Sequence, residues 1–577
     1  SLTHPYAALF CGVAYMLSYR YLAMIDAGWT VELTMYALAP LLFWSADRLL
    51  ERPDRARTAV FAVILGLAAM QTAIQAFYYD LLGLACLAAW RLPSLRREVR
   101  HRAALAVAGG GALALLLSAP DLLPRAQFAL LSTRSLHDYR FFLANPPGLS
   151  SLSTLFDPRD AGGTRVEYWE NNFYFGAWLY PLMLWACVQD WKRSRPLLLA
   201  FAACVLVCFD SPLLRLLYGF LPGFDLFRCT PRILQLAQLL AVLLAGRGVD
   251  ALLRGPARRH AAAAAALLCL LPVADSGARM LPRLRTLPLS RALPEPAFAD
   301  LLRRSPSSGR VAALGRTVLS YGMGSYHDID MVNGYAPLNL KHYMEYFSVL
   351  QRGDPARAPR APVIWADLTS ITKPEMLRAL DVKYIIGPRP EPLEKIGYEL
   401  VARRDDVPAY LFYSGLVRTP VYLWRDKRPL GPAYFATSIE RVDGEARSLA
   451  AVAASTSPLR AAVLGWDGKG PAPGFAGGSA ELTRRGENAY EYSLDSRGEN
   501  FLILSQVWYP GWRAALDGAS VPVYRTNHAL LGLFVPPGRH ALTLEMTSPA
   551  LEAGLAACAL GLALVAALLL GVKKPQG

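Results

Sequence analysis

Two arginines are the first residues whose types and spacing could do chemistry. The stretch FDLFRCTPRI, residues 224–233, sets Arg228 and Arg232 four positions apart on either side of Pro231. A guanidinium is a planar fork of donors that matches phosphate oxygens, and a helix start adds partial positive charge. If the turn is already helical, both side chains share one face and form a phosphate-binding pair at lipid-headgroup depth. The plainer alternative is snorkelling of two cations toward bulk headgroups.

The loop LFDPRDAGGTRVEYWENNFYFG, residues 155–176, places acids and amides among aromatic rings. Rings stack on pyranose faces, and carboxylates and amides bond hydroxyls. The expected sugar or acceptor contacts are Asp160, Arg165, Trp169, Asn171 and Asn172. Asp157, Glu167 and Glu170, with Asp26 just after the first apolar run, are carboxylates able to act as a general base near an acceptor hydroxyl. A solvated loop capping the next helix explains the same residues one at a time. Arg20 and Glu32 are charges at membrane depth, which by default line a cavity or meet a partner.

In SYHDIDMVNGYAPLNLKHYMEYF, residues 325–347, the spacing of His327, Asp328 and Asp330 fits no tight zinc pattern, so a polar loop is expected and no metal site is assigned. The sequence has no P-loop, dinucleotide fingerprint or nucleophile elbow. No cofactor is called for, and a divalent metal ion is the one class left open. The eight cysteines form no CxxC pattern, and none falls between residues 276 and 548. They read as small buried apolar residues, Cys204 and Cys208 included.

These residues must be held by membrane helices. The chain is 54% hydrophobic and 18% charged, against about 25% charged in soluble domains. Its apolar runs at 5–24, 31–50, 58–74, 76–91, 102–120, 173–190, 196–210, 231–250, 260–275 and 549–571 are candidate spans, each approaching the roughly 20 residues a bilayer requires. Tyr78 and Tyr79, in the turn between the third and fourth, suit a membrane interface. Gly109–Gly111 suits close helix contact. The +15 net charge excludes little by itself, but much of it sits in short connectors: 47–57, 91–102, 190–195, 251–259 and the tail. A ten-span threading puts all of these on one side, the cytoplasm by the positive-inside rule. Membrane attachment, not nucleic acid, accounts for them.

The same threading exports residues 25–30, 120–172, 211–230 and 276–548. Four regions follow: a polytopic membrane domain at 1–275, a mixed α/β region at 276–419, a β-sandwich-like domain at 420–548, and a final span with its tail at 549–577. PEMLRAL running into VKYII predicts a helix and then a strand. Alternation at Tyr490, Tyr492 and Leu494, and at Leu542, Leu544 and Met546, predicts half-buried strands. Asp517-Gly518 predicts a two-residue hairpin turn. The chain begins at Ser1 without a signal-peptide pattern and reads as lacking an N-terminal part.

Several blocks, in order, resemble the bacterial YfhO-like membrane protein family within the GT-C group of multispanning glycosyltransferases. They include NNFYFGAWLYPLMLWA (171–186), LPGFDLFRCTPRILQLAQLLAVLLAGRGVD (221–250), NGYAPLNLKHY (333–343) and SQVWYPGWRAALDGASVPVYRTNHALLGLFVPPGRHALTLEM (505–546). The resemblance implies a GT-C-like helical membrane domain, an extracytoplasmic α/β plus β-sandwich-like region and a final transmembrane helix. It implies transfer of a sugar from a polyprenyl-phosphate carrier to an envelope glycopolymer at a bacterial cytoplasmic membrane, with membrane lipid, lipid-linked sugar and acceptor polymer as partners. It also implies a principal acid in an outer loop ahead of residue 1. LEMTSP departs from the family tendency toward an aromatic before the proline. Two alternatives remain: a non-catalytic membrane protein that binds or escorts an envelope polymer or lipid-linked intermediate, and a transporter of such intermediates.

Overall fold

Helices α1 (Pro5–Met16) and α2 (Tyr19–Asp26) lead into α3 (Thr30–Glu51), α4 (Arg55–Ala69), α5 (Ile74–Arg91) and α6 (Arg97–Leu131). The short α7 (Tyr139–Leu143) and α8 (Tyr168–Asn171) precede α9 (Leu179–Gln189), α10 (Trp191–Leu206), α11 (Pro212–Phe220), α12 (Leu234–Arg254) and α13 (Ala261–Met280). A computed structural model describes residues 4–571 except 145, 159–167, 283–285, 287, 304–308, 316–318, 320–322, 412–414 and 469–473. Two compact units emerge: Ser1–Pro124, Asp138–Thr286 and Ala550–Gly577 form the first, and Arg125–His137 with Leu287–Pro549 the second.

Five described helical segments are long and apolar enough to cross a membrane: Pro5–Asp26, Arg97–Leu131, Thr230–Arg254, Arg258–Met280 and Pro549–Leu570. The Thr230–Arg254 segment, which contains α12, is the central one. Its residues are mostly buried, and Gly248 lets α9 approach so closely that a Cβ there would collide with the Leu182 carbonyl oxygen. The last helix packs on α6 through Gly554, where a Cβ would lie 2.6 Å from the Ala119 carbonyl oxygen.

Three expected spans differ from what forms. The run at 173–190 is helical only from Leu179. The Asn172 side-chain oxygen accepts from the Tyr174 N–H at 2.8 Å and Gly176 takes a φ of +106°, so the backbone leaves helical geometry first. The run at 102–120 continues as helix to Leu131 through Pro120 and Pro124. Each proline removes one backbone bond without stopping the next turn. The final segment of α13 passes the expected boundary at 275 and ends at Met280. Tyr79, expected at an interface, is fully buried, while Tyr78 donates to the Pro222 carbonyl at 2.8 Å. Of the three consecutive glycines, Gly110 alone touches a neighbouring helix, at the Phe61 ring.

The basic connectors gather at one end of the first unit. Arg91 pairs with Asp47 at 3.0 Å, and Arg247 with Asp190 at 3.1 Å. Helices α3, α5 and α12 all start at the opposite end and finish in these connectors.

In the second unit, β1 (Arg310–Ala313) is followed by a ribbon of β2 (Gly334–Tyr335) and β3 (Trp365–Ala366). Helices α14 (Leu289–Ala292) and α15 (Ala299–Leu302) precede them; α16 (Lys341–Arg352) and α17 (Pro374–Ala379) lie around them, and α17 leads into β4 (Val382–Gly387) as expected. With the long hairpin of β5 (Tyr398–Leu411) and β6 (Gly415–Asp426), a four-stranded sheet forms in the order β1-β4-β6-β5. The expected boundary at 419/420 therefore falls inside β6, a strand that belongs to this first sheet.

Next come β7 (Ala433–Phe435), β8 (Ser438–Val442), α18 (Glu445–Ala454), β9 (Arg460–Leu464), β10 (Gly478–Arg485), β11 (Ala489–Ser496) and β12 (Asn500–Val507). Strands β13 (Trp512–Leu516), β14 (Ala519–Val521), β15 (Tyr524–Thr526), β16 (Leu530–Val535) and β17 (Gly538–Met546) complete the unit before α19 (Pro549–Leu570). Sheets β10-β11-β17-β13-β14 and β7-β12-β16-β15-β9-β8 face each other across a core containing Tyr492, Leu494, Leu504, Leu531 and Leu542. This is a sandwich, but not all-β: α18 crosses between the parallel strands β8 and β9. Asp517 and Gly518, at φ +52° and +83°, make the tight turn between β13 and β14.

Candidate functional site

The four helices that start or end opposite the basic connectors bring four charged side chains together in the first unit. Arg20 comes from α2, Glu32 from the first turn of α3, Glu170 from α8, and Arg232 from the 3-10 turn Thr230–Ile233 that opens α12. All but Arg232 are less than 10% exposed: Arg20 3%, Glu32 6% and Glu170 1%. Buried ions persist only when compensated: Glu170 and Arg232 pair directly, Glu32 lies near the same guanidinium, and Arg20 is held by carbonyl oxygens.

Arg232 is the hub. Its Nε and Nη2 reach Glu170 Oε1 at 2.7 and 2.6 Å. Its Nη1 donates to Gln75 Oε1 at 3.2 Å and lies 3.8 Å from Glu32 Oε1. Its guanidinium carbon sits 4.6 Å from the centre of the Trp29 ring. Gln75 in turn donates to the Arg228 carbonyl at 2.6 Å, tying the start of α5 to the residues before α12. Burial alone would raise the Glu170 carboxyl; the Arg232 guanidinium outweighs it and holds the group below its ordinary value. Arg20 donates to the carbonyls of Asn172 (3.1 Å), Glu170 (3.3 Å) and Pro231 (2.9 Å), so it ties the backbone around α8 to the start of α12.

Arg228 and Arg232 do not share a helical face. Cys229 lies between them at φ +58°, and the turn that follows is 3-10, not α. Arg232 points into the carboxylates, whereas Arg228 lies over the Phe141 ring at 5.5 Å and is only half-buried.

The other expected residues separate. Asp157 pairs with Arg279 at 3.0 Å in a neighbouring cluster, where Asp275 accepts from Tyr174 at 2.6 Å and from Trp178 at 3.2 Å. The Asn172 side chain bonds backbone: its Nδ2 donates to the Pro158 carbonyl at 3.1 Å, besides its bond to Tyr174. Trp169 packs 6.3 Å from Trp29. Asn171 lies in α8 beside Glu170, and Asp26 ends α2 half-buried. Asp160, Arg165 and Glu167 lie outside the described residues. Among the described residues no three His, Cys, Asp or Glu could hold a metal ion. Asp330, from the expected polar loop, pairs instead with Arg485.

Gln75 and Trp29 were not legible as site residues, and Glu32 was legible only as a charge at membrane depth. Chemically, the arrangement offers one carboxylate, Glu170, fixed as an anion and a second, Glu32, held loosely by the same guanidinium. The half-buried cation Arg228 lies nearby in sequence.

Neither a protein-family model nor a curated protein matches the chain. Among solved structures, the cryo-EM structure of the arabinofuranosyltransferase AftD from mycobacteria aligns over 94% of this chain and 49% of its own length, at 12% identity and a TM-score of 0.42. A mutant form of the same enzyme aligns with 12% identity and a TM-score of 0.41, over 94% and 51%. The chain thus spans about half the length of the enzyme it is similar to.

Proposed function

We propose that the chain is a GT-C-type membrane glycosyltransferase that moves a sugar from a polyprenyl-phosphate carrier to an envelope glycopolymer. The observation that carries this reading is the buried pair of carboxylates, Glu32 and Glu170, on the single guanidinium of Arg232 where α12 begins. The YfhO-like blocks of the sequence support it. Glu32, whose contact among the described residues is the 3.8 Å one to Arg232, keeps acceptor capacity for a proton. In the reaction it would take the acceptor hydroxyl proton as that oxygen bonds to the sugar C1. The C1–O bond to the carrier breaks in the same displacement, and the carrier phosphate leaves with the electron pair, held by Arg228. Arg232 positions both acids, and Arg20 holds the backbone of Glu170 and Pro231 in register. The membrane would be the bacterial cytoplasmic membrane, with the cluster on its outer side and the basic connectors inside.

The test is binding of a fluorescent polyprenyl-phosphate sugar to the purified protein in nanodiscs. Arg228→Gln is expected to weaken binding about tenfold, the loss of one charged hydrogen bond. Unchanged binding would remove Arg228 from the phosphate site. One observation favours a second reading, a non-catalytic protein that binds or escorts the lipid-linked intermediate: Glu170 is covered and committed to Arg232. Donor binding with no transfer to any acceptor would select it.

A further inference from the structure

Residues 211–230 are expected as an exported connector between spans, yet the first part, SPLLRLLYGF (211–220), is largely apolar. Ser211 caps it by accepting from the Leu214 N–H at 3.2 Å, Pro212 suits a first helical turn, and α11 runs from there to Phe220. A helix of this length rises about 14 Å, less than half of the roughly 30 Å hydrocarbon core. It does not cross the membrane, and its apolar residues need another environment.

They divide between two stripes. Leu214, Leu217, Tyr218 and, just past the helix, Leu221 follow the i, i+3, i+4, i+7 spacing of one face. Leu214 is fully buried and the other three are half-buried. Leu213, Leu216 and Phe220, at i, i+3 and i+7, form a second stripe that is 48%, 55% and 81% exposed. Leu226 is exposed as well. Single apolar side chains on a surface need no cause, but a contiguous stripe marks an interaction.

The inner stripe ties α11 to the turn that carries Arg228. The Tyr218 ring centre lies 4.9 Å from that of Phe142, and Phe142 lies 5.2 Å from Phe224. The Phe142 carbonyl accepts from the Cys229 N–H at 3.1 Å, and the neighbouring Phe141 ring lies against the Arg228 guanidinium. The bond from Tyr78 to the Pro222 carbonyl closes the other side. The depth of α11 therefore sets the depth of Arg228.

The surroundings of the outer stripe select its occupant. Helix α10 begins in the basic connector at 190–195 and finishes at the opposite end, so α11 follows at the end where α12 starts. Leu199 and Leu206, exposed along α10, lead up to it, and a lipid-facing flank continues into the stripe. Its polar edge is one closed group. Arg215 Nη2 lies 3.3 Å from Asp210 Oδ2, Tyr139 donates to Asp210 Oδ1 at 2.8 Å, and the Arg215 guanidinium lies 5.6 Å from the Tyr139 ring centre. The charges cancel, and tyrosines beside an apolar strip are the fringe of a membrane–water interface. A second copy of the chain fits poorly. A helix face about 14 Å by 10 Å offers roughly 140 Å², against about 800 Å² per partner in a standard protein interface.

We propose that α11 lies in the plane of the membrane, with Leu213, Leu216 and Phe220 sunk among the upper acyl chains of the leaflet opposite the basic connectors, and so holds Arg228 at headgroup level. The inference goes beyond the transferase reading and is the same for a protein that only escorts a lipid.

Leu216 and, separately, Phe220 are replaced by the photo-crosslinker p-benzoylphenylalanine in the whole protein, reconstituted into liposomes of phosphatidylcholine with or without phosphatidylglycerol. Both side chains face away from the core, so the fold is not at stake. After irradiation, intact mass should shift by one lipid at both positions. Fragmentation should place the new bond on acyl carbons nearer the glycerol than the methyl end. Yields should be similar in the two lipid mixtures, because the polar edge is neutral. Adducts to a second copy of the chain, adducts at acyl chain ends alone, a requirement for phosphatidylglycerol, or no adduct at either position would each overturn the proposal. None of these readouts involves a sugar donor, so the transferase reading stands or falls separately.

Discussion

Arg232 can be tested as the hub of the buried cluster by a double-mutant cycle. Arg232→Met leaves Glu170 and Glu32, 1% and 6% exposed, without the guanidinium that they share. Breaking a buried pair from one side costs about 3–5 kcal/mol. Glu170→Leu leaves Arg232 with Gln75 at 3.2 Å and Glu32 at 3.8 Å, so its cost should be smaller, about 1–3 kcal/mol. Removing both replaces an ion pair by apolar volume, which is often close to neutral. The double variant should therefore be more stable than the sum of the singles by about 2 kcal/mol or more, within the range seen for residues of one network. The assay is reversible unfolding of the protein in mixed micelles. Additivity within about 0.5 kcal/mol would show that the two groups do not depend on each other and would refute the hub. Donor binding by the same double variant separates structure from function: stability should return and binding should not.

Gly248→Ala should lower the melting temperature, because its Cβ meets the Leu182 carbonyl; overpacking of this kind costs about 1–3 kcal/mol. Gly12→Ala, with nothing within 4 Å of the added Cβ, is the control, and equal effects would contradict the close approach of α9 and α12. Gly554→Val should loosen α19 from α6, read as loss of an engineered cysteine crosslink between them. The hairpin end of the sandwich should respond to pH. The hydrogen bond that His540 Nδ1 donates to Asp517 Oδ2, at 2.6 Å, raises the histidine above its ordinary value and lowers Asp517. The histidine contribution is full below its unfolded value of about 6.5 and is lost as pH rises through the raised folded value; the aspartate part is present above about 3.9 and is lost as pH falls through the depressed one. Exchange protection of the Asp517 and Ala541 amides, corrected for intrinsic rate, should follow that window and flatten in His540→Ala.

Much of the fold is local in origin and therefore legible. Long apolar runs, the Asp517-Gly518 turn, the α17–β4 succession and the period-two strands each follow from residues close in sequence. The shortfalls have the same character. The helix in 173–190 is delayed by one asparagine side chain and one glycine, and β6 belongs to the first sheet because of its ladder with β4, a strand some thirty residues earlier. The site was legible only in part. Arg232 and Glu170 stood out as charges at a helix start and in an aromatic loop, yet spacing suggested that Arg228 and Arg232 would pair with each other. The partners actually found, Glu32, Gln75 and Trp29, lie more than 150 residues upstream of Arg232, and no sequence pattern joins them. Asp157, chosen for its company in the loop, goes to Arg279 instead.

The central claim is most directly tested by sugar transfer. The complete protein in native membranes is given a panel of radiolabelled polyprenyl-phosphate sugars and envelope polymer, alongside Glu32→Gln at matched expression. Label should enter the polymer from one donor, and Glu32→Gln should cut that transfer about 100-fold or more, the scale of a lost general base. Transfer at an undiminished rate by Glu32→Gln, or no transfer from any donor, would contradict it.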